Sequence, residues 1–177
     1  SAANRSVART VAGPLSRRVA SLLASSRLTA TSLLACGAAF REAVEALRAA
    51  GVSEAGVHLC LVGGETPLSR PASVASLAPG GRFPAAWPSV AARVAAGLVR
   101  VSEVEREWEA QVEAVRASGL RVTHLDSHQH LHLLPRLVPV AISLARRFEV
   151  PFVRAPRADD PAAVGAPAGA AGRSRAR

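Results

Sequence analysis

The chain contains no lysine, methionine or tyrosine, and aromatic residues make up only 3% of it. All 22 basic residues are therefore arginine. We interpret this bias, together with the abundance of alanine, glycine and proline, first as an effect of genome composition and not as a sign of a particular function. No apolar run approaches the roughly 18–20 residues that a membrane span requires. This disfavours a membrane protein, and we expect a cytoplasmic one.

Cysteine and acidic residues are also scarce. The two cysteines, Cys36 and Cys60, cannot form a disulfide framework, and each lies in an apolar run that predicts a small buried side chain. Residues 1–41 contain no acid, so the net charge of +9 lies mainly at the two ends of the chain. Because no basic stripe is interleaved with aromatic residues, the sequence disfavours a nucleic-acid partner.

The 177 residues suffice for one domain with a hydrophobic core. We divide them into an ambiguous segment 1–26, a folded region 27–157 and a low-complexity tail 158–177 that we expect to be disordered. The first segment holds two candidate short helices, at 7–11 and 19–23. Its composition superficially resembles a transit peptide, but the missing initiator methionine favours a fragment or an unusual gene start.

Strands and helices alternate in the folded region, which predicts an α/β fold with parallel strands. Residues 63–87 are rich in proline, glycine and serine and predict a long loop, of the kind that is a lid, a binding loop or disordered. Ser102 and Glu105 have the spacing of a capping box, which predicts the start of a helix at residue 102. Predicted strands cover 28–36, 57–62, 120–125 and 150–154, and predicted helices cover 38–50, 89–99, 102–118 and 135–148.

Five polar residues lie at alternate positions at the end of a predicted strand and just beyond it: His124, Asp126, His128, His130 and His132. An extended chain would place all five on one face, and a helix would still group three of the imidazoles. The carboxyl ends of parallel strands are where such folds place their sites. Convergent imidazoles and a carboxylate predict a divalent-metal site.

The five residues would not all be ligands, because a catalytic metal takes about three protein groups and keeps a position for water. A carboxylate that accepts a hydrogen bond from a ligand imidazole fixes its tautomer, which suits Asp126. An imidazole near the bound water can protonate a leaving group, which suits His130 or His132.

Simpler interpretations stay open. His58 lies among apolar residues in a predicted strand and fits a satisfied core histidine as well as a ligand. The alternating histidines also fit an exposed loop that binds metals adventitiously. A zincin helix is disfavoured, because no glutamate follows His124 or His128.

Two histidine motifs carry a family resemblance. Residues 123–135 (THLDSHQHLHLLP) resemble the signature of the YdjC-like carbohydrate deacetylases, the family of chitooligosaccharide deacetylase and the HpnK proteins. Residues 56–61 (GVHLCL) resemble that family's Gly-x-His-x-x-Leu strand. Residues 28–44 resemble its second strand and helix, and residues 153–156 (VRAP) resemble its Arg-x-Pro strand.

The resemblance implies an incomplete (β/α) barrel-like domain that removes N-acetyl groups from sugars or oligosaccharides. By motif position, it implies that His58 and His128 bind a divalent ion, Mg²⁺ or Zn²⁺, which would polarise the acetyl carbonyl and activate water. Asp126, His130 and His132 are then the catalytic candidates, and Arg154 is a substrate-binding candidate. A homo-oligomer is left open.

The chain departs from the family pattern at its start. The family opens with a strand ending in Asp-Asp-Phe-Gly, which supplies a third ligand and a candidate base, whereas this chain has no acid before Glu42. We expect residues 1–4 to follow such a motif, and Asp159-Asp160, which lacks the Phe-Gly, does not replace it. Activity is therefore expected to be low or absent. The alternatives are a non-catalytic sugar-binding remnant and, less favoured, a basic nucleic-acid-interacting protein.

Overall fold

The computed structural model describes residues 14–25 and 28–155 of the chain, and these contain five α-helices and four β-strands. Two short 3₁₀ turns, Pro71–Ser73 and His128–Leu133, accompany them. In chain order the elements are α1 (Pro14–Ala24), β1 (Ser32–Leu33), α2 (Phe40–Ala49), β2 (Glu54–Leu59), α3 (Trp87–Ala95), α4 (Val101–Ala117), β3 (Arg121–Ser127), α5 (Val138–Arg147) and β4 (Phe152–Val153).

The four strands form one parallel sheet in the order β1-β2-β3-β4. This confirms the predicted α/β fold with parallel strands. Within the described residues the sheet is open, since β1 and β4 each pair with a single neighbour. The arrangement is that of an incomplete barrel.

The sheet has one apolar and one polar face because side chains alternate along a strand. Val57 and Leu125 lie opposite each other in the register and are fully buried in the core, to which α2, α4 and α5 contribute. His58 and Asp126, one position further along, also lie opposite each other and face the other side. The helices thus cover one face, and the polar residues collect on the second.

Several strands and helices begin or end at other residues than predicted, because side-chain periodicity indicates the type of an element better than its ends. Only two residues of the predicted strand 28–36 form β1, whereas β2 begins three residues before the predicted start at Val57. Helix α5 begins at Val138, so Pro139 lies in the first turn, where its missing N–H costs nothing. Candidate helix 19–23 belongs to the longer α1, whose Ala20 is buried in the core.

Other sequence predictions lie outside the described residues, namely the candidate helix 7–11 and the tail 158–177. Of the two cysteines, Cys60 is buried as predicted, whereas Cys36 is partly exposed. No helix in the described part of the chain has the length and apolarity to cross a membrane.

Helix α4 shows its predicted apolar face, with Trp108 and Val112 fully buried. The predicted capping box is wrong: the helix begins at Val101, Ser102 lies inside its first turn, and no side chain caps the N-terminus. The N–H of Arg100 is instead satisfied by the Ser76 hydroxyl of the preceding loop, 2.9 Å away.

Two glutamates of α4 fasten the long loop between β2 and α3. Glu107 is fully buried and accepts hydrogen bonds from the backbone N–H groups of Leu68 (3.0 Å) and Ser69 (2.9 Å). Glu103 accepts hydrogen bonds from both the N–H (2.8 Å) and the hydroxyl (2.7 Å) of Ser76. Burial raises the pKa of Glu103, but hydrogen bonds from Ser76 and Arg100 outweigh it and hold the pKa below its usual value.

Gln111 continues the same line of α4, one turn beyond Glu107. Its side-chain oxygen accepts the N–H of Cys60 (2.8 Å), and its amide nitrogen donates to the Cys60 carbonyl (2.9 Å) and to Glu107 (2.8 Å). The side chain therefore bonds the backbone just beyond β2, as another strand would, and fixes the chain two residues after His58.

We predict that replacing Glu107 with leucine destabilises the protein by about 3 kcal/mol, because two loop N–H groups and Gln111 lose their charged acceptor. Urea unfolding monitored by circular dichroism measures the loss. Glu113→Leu, at an exposed position of the same helix, is the matched control and should change the free energy of unfolding by less than about 0.5 kcal/mol. Equal stabilities for the two variants would show that Glu107 does not stabilise the attachment of the loop to α4.

Candidate functional site

The candidate site begins with the pairing of β2 and β3, which places His58 beside Asp126. The Nδ1 atom of His58 lies 2.9 Å from Oδ1 of Asp126, and the two residues are only 8% and 2% exposed. Because an ionised carboxylate can only accept, Nδ1–H of His58 is the donor. The Nε2 atom of a neutral His58 then carries a lone pair, which is the state of a metal-ligating imidazole oriented by a carboxylate.

His128 faces that lone pair from the first position of the 3₁₀ turn after β3. Its Nδ1 atom lies 3.3 Å from Nε2 of His58, with the two rings edge to face and their centroids 5.5 Å apart. Gly63, at the start of the long loop, lies next to it: a Cβ there would be 3.9 Å from Nε2 of His128. The structure thus brings together the two histidines that the family motifs single out.

Asp126 is held from three sides. Besides the bond from His58, its Oδ2 atom accepts the Ser32 hydroxyl (3.2 Å) and lies 3.8 Å from Nη1 of Arg154. Burial raises the pKa of Asp126, but the hydrogen bonds from His58 and Ser32 help to keep the pKa below its usual value. The carboxylate is therefore ionised and serves as an anchor for the neighbouring side chains.

The alternating residues do not all share one face. The chain leaves the strand at His128, and Gln129 and His130 adopt left-handed φ angles of 56° and 53°. Neither the extended nor the helical expectation therefore describes the segment beyond Ser127. The exposed-loop interpretation also fails, since Asp126 and His132 are almost completely buried.

His132 and His130 lie beyond that turn. The ring of His132 bonds to Ser127 and to the backbone carbonyl of Arg154, and the His130 ring lies 6.3 Å from it, centroid to centroid. The catalytic roles of Asp126, His130 and His132 and the substrate role of Arg154 stay predictions.

His124 lies earlier in β3, beside the bulge at Gly56. A Cβ at Gly56 would fall 2.3 Å from the His124 ring, so only glycine fits that position. His124 also lines an open groove of about 560 Å³ on the polar side of the sheet, together with Phe152 and Arg154. Phe152 is 69% exposed in this groove.

The donor set fits a divalent metal in part. His58 and His128 present imidazole nitrogens towards each other, and Asp126 fixes the proton of the first. Across the described ranges, however, no group of three or more histidine, cysteine, aspartate or glutamate side chains is arranged to hold an ion. A catalytic site usually has about three protein ligands, so one is lacking here.

Sequence reasoning missed two serines of this region. Ser32 bonds Asp126 from β1, and Ser127 bonds His132 from the end of β3. Ser127 lies inside the histidine motif, so its position was a usable signal. Ser32 stands in an apolar run and carries no signal that separates it from other strand serines.

The family of this chain follows from a match to a family model. The family model described as YdjC-like protein matches residues 14–176, which is most of the chain. The chain belongs to the YdjC-like family. The match includes α1 and extends further at both ends than the region 27–157 delimited from the motifs.

Several YdjC-like relatives carry informative names. The chain is 35% identical over 127 residues to a carbohydrate deacetylase of Oceanobacillus iheyensis, covering 70% of this chain and 51% of that protein. It is 38% identical over 61 residues to a chitooligosaccharide deacetylase of Yersinia pestis, covering 34% of this chain and 24% of that protein. The chain thus spans about half the length of the first relative.

A crystal structure of a protein from Enterococcus faecalis V583 superposes on this chain with a TM-score of 0.70 and 29% sequence identity. That protein carries the provisional name of a cellobiose-phosphate cleavage protein. The superposition covers 86% of this chain and 59% of the other. The likeness supports an incomplete barrel-like YdjC fold for the four-stranded sheet.

We predict that the stability of the protein falls as the pH drops from about 7.5 to 5.5. Burial lowers the pKa of both His132 and His124 below the ordinary value of 6.5. A group with a lowered pKa in the folded state takes up its proton first in the unfolded chain, so its stabilising contribution is complete above pH 6.5 and decreases below it. Urea midpoints at pH 7.5, 6.5 and 5.5 measure the trend, and a midpoint that rises towards pH 5.5 would contradict it.

Proposed function

We propose that this chain carries part of the active site of a metal-dependent carbohydrate deacetylase. The observation that carries the proposal is the contact series Asp126–His58–His128 at the carboxyl end of two parallel strands. The names of the relatives, carbohydrate deacetylase and chitooligosaccharide deacetylase, support an acetylated sugar or oligosaccharide as the substrate.

His58 and His128 would hold the divalent ion in this proposal. When bound, such an ion polarises the acetyl carbonyl and lowers the pKa of a coordinated water. Imidazole nitrogen suits Zn²⁺ better than Mg²⁺, which prefers oxygen ligands. The two ions therefore provide a useful comparison, with Zn²⁺ expected to bind this pair of side chains more tightly.

The remaining residues would orient the ligands and the substrate. Asp126 keeps the proton of His58 on Nδ1, so that Nε2 stays available as a donor to the ion. Arg154 lines the groove and is partly exposed, so its guanidinium can donate to a sugar hydroxyl or an acetyl oxygen.

Hydrolysis adds a water oxygen to the acetyl carbon, breaks the C–N bond and leaves acetate and an amine that has gained a proton. His130 is the candidate to supply that proton. Among the described residues no group of three or more ligand-type side chains is arranged to hold an ion, so a third ligand is not found there. Because this chain spans about half of its relatives, we expect little activity from it alone.

The incomplete donor set also favours a second candidate, a sugar-binding domain without turnover. Its groove and Arg154 would bind an oligosaccharide, while the missing ligand would prevent hydrolysis. A nucleic-acid function would depend on the arginine-rich ends, which lie mostly outside the described residues.

We predict that Zn²⁺ binds once per chain and that His58→Ala and His128→Ala each weaken this binding at least about tenfold. Isothermal titration calorimetry measures the affinity. His124→Ala is the matched control, because His124 lies on the same strand as Asp126 but packs against Gly56. Unchanged Zn²⁺ binding in both ligand variants would show that the assignment is wrong.

We further predict little or no acetate release from N-acetylglucosamine oligomers, even with Zn²⁺ or Mg²⁺ present, because the described residues lack a third metal ligand. An enzymatic acetate assay measures turnover, and calorimetry with the same oligomers measures binding. Binding without turnover would favour the sugar-binding domain. Turnover abolished by His58→Ala would show that this chain suffices for catalysis and would contradict the prediction.

A further inference from the structure

Arg154 is held by its backbone on both sides. Its N–H donates to the Leu125 carbonyl of β3 (2.8 Å), and its own carbonyl accepts a hydrogen bond from Nε2 of His132 (2.7 Å). Strand β4, which precedes Arg154, has only two residues and pairs with β3 alone within the described chain. The bond from His132 therefore extends the attachment of the chain beyond this short strand.

The His132 ring is itself fixed by Ser127. A backbone carbonyl can only accept, so Nε2 of His132 carries a proton, and Nδ1 of the neutral ring accepts the Ser127 hydroxyl at 2.6 Å. The Ser127 oxygen in turn accepts the backbone N–H of His132 at 3.1 Å. Both residues are almost completely buried. Both ring nitrogens are thus used within the protein, which conflicts with a role as proton donor to a substrate.

These bonds fix the position of the Arg154 backbone, from which its side chain extends towards Asp126. Its Nη1 atom lies 3.8 Å from Oδ2 of Asp126, and Oδ1 of the same carboxylate accepts the proton of His58. A series of contacts therefore leads from the His132 ring through Arg154 and Asp126 to the imidazole proposed as a metal ligand.

We propose that His132 is a positioning residue: together with Ser127, it fixes Arg154 so that the guanidinium holds Asp126 against His58. His132 then contributes to the site without touching the metal or the substrate. The proposal deepens the proposed function, since it explains how the tautomer of His58 is maintained, and it rests on that function only for its effect on metal binding.

The test follows the Nδ1 proton of His58 by ¹⁵N-histidine NMR in the metal-free protein and Zn²⁺ affinity by calorimetry. His132→Leu removes the bond to Arg154, whereas His132→Gln keeps an amide N–H that can reach the same carbonyl. We expect the leucine variant to exchange the His58 proton roughly fivefold faster, as loss of about one hydrogen bond implies, and to bind Zn²⁺ about tenfold more weakly. The glutamine variant should restore most of both.

Two further variants keep the test decisive. Ser127→Ala leaves His132 in place but removes its partner, and it should shift the same readouts in the same direction by a smaller factor. Ser76→Ala, which removes a part-buried hydrogen bond to Glu103 in the first turn of α4, controls for general destabilisation and should leave the His58 proton unchanged.

The proposal is overturned if His132 is protonated on Nδ1 in the wild-type spectrum. It is also overturned if folded His132→Leu, or Ser127→Ala should the leucine variant not fold, shows wild-type exchange of the His58 proton. Failure of the proposed function is a separate result. A wild-type chain that binds no Zn²⁺ contradicts the metal site, while the NMR comparison still decides whether His132 positions Arg154.

Discussion

The hydrogen bond between His58 and Asp126 depends on the register of two parallel strands and in turn defines the site. The pairing of β2 with β3 sets the two residues side by side, with Val57 and Leu125 paired on the opposite face. A shift of β3 by one residue would turn Asp126 towards the helices and Leu125 towards the polar face. The same burial that forms the core therefore fixes the geometry in which the Asp126 carboxylate meets this imidazole.

The polar contacts around this bond form a connected group because each one limits the choices of the next. Ionised Asp126 sets the proton of His58, which sets the nitrogen that faces His128. Ser32 and Arg154 hold the second carboxylate oxygen. Such a buried group is favourable only when its members are all satisfied. Contacts from β1, β2, β3 and the end of β4 meet at this one carboxylate.

The sequence predicted the fold class, and its two histidine motifs singled out His58 and His128, which the structure places side by side, since apolar runs, helical periodicity and such motifs are local patterns. It did not predict where the alternation ends. Gln129 and His130 take left-handed conformations, and the turn they form is closed by the distant contacts of His132 with Ser127 and Arg154. A period-two pattern contains no information about such contacts, so the five alternating residues appeared to share a face that only some of them occupy.

The buried glutamates of α4 were equally invisible to sequence reasoning. Charged residues at helical spacing usually indicate a solvated face, and the backbone N–H groups that make their burial favourable come from a loop more than twenty residues away. Only the tertiary structure shows that this line of the helix is internal.

That attachment changes the mechanical character of the loop between β2 and α3. Its length and its glycine and proline content predict a lid, a binding loop or a disordered segment. Yet swinging away from α4 would strand two buried carboxylates without their donors, at a free-energy cost of several hydrogen bonds. The loop is therefore held against α4 at residues 68–69 and 76–77, and these stretches are not free to swing as a lid.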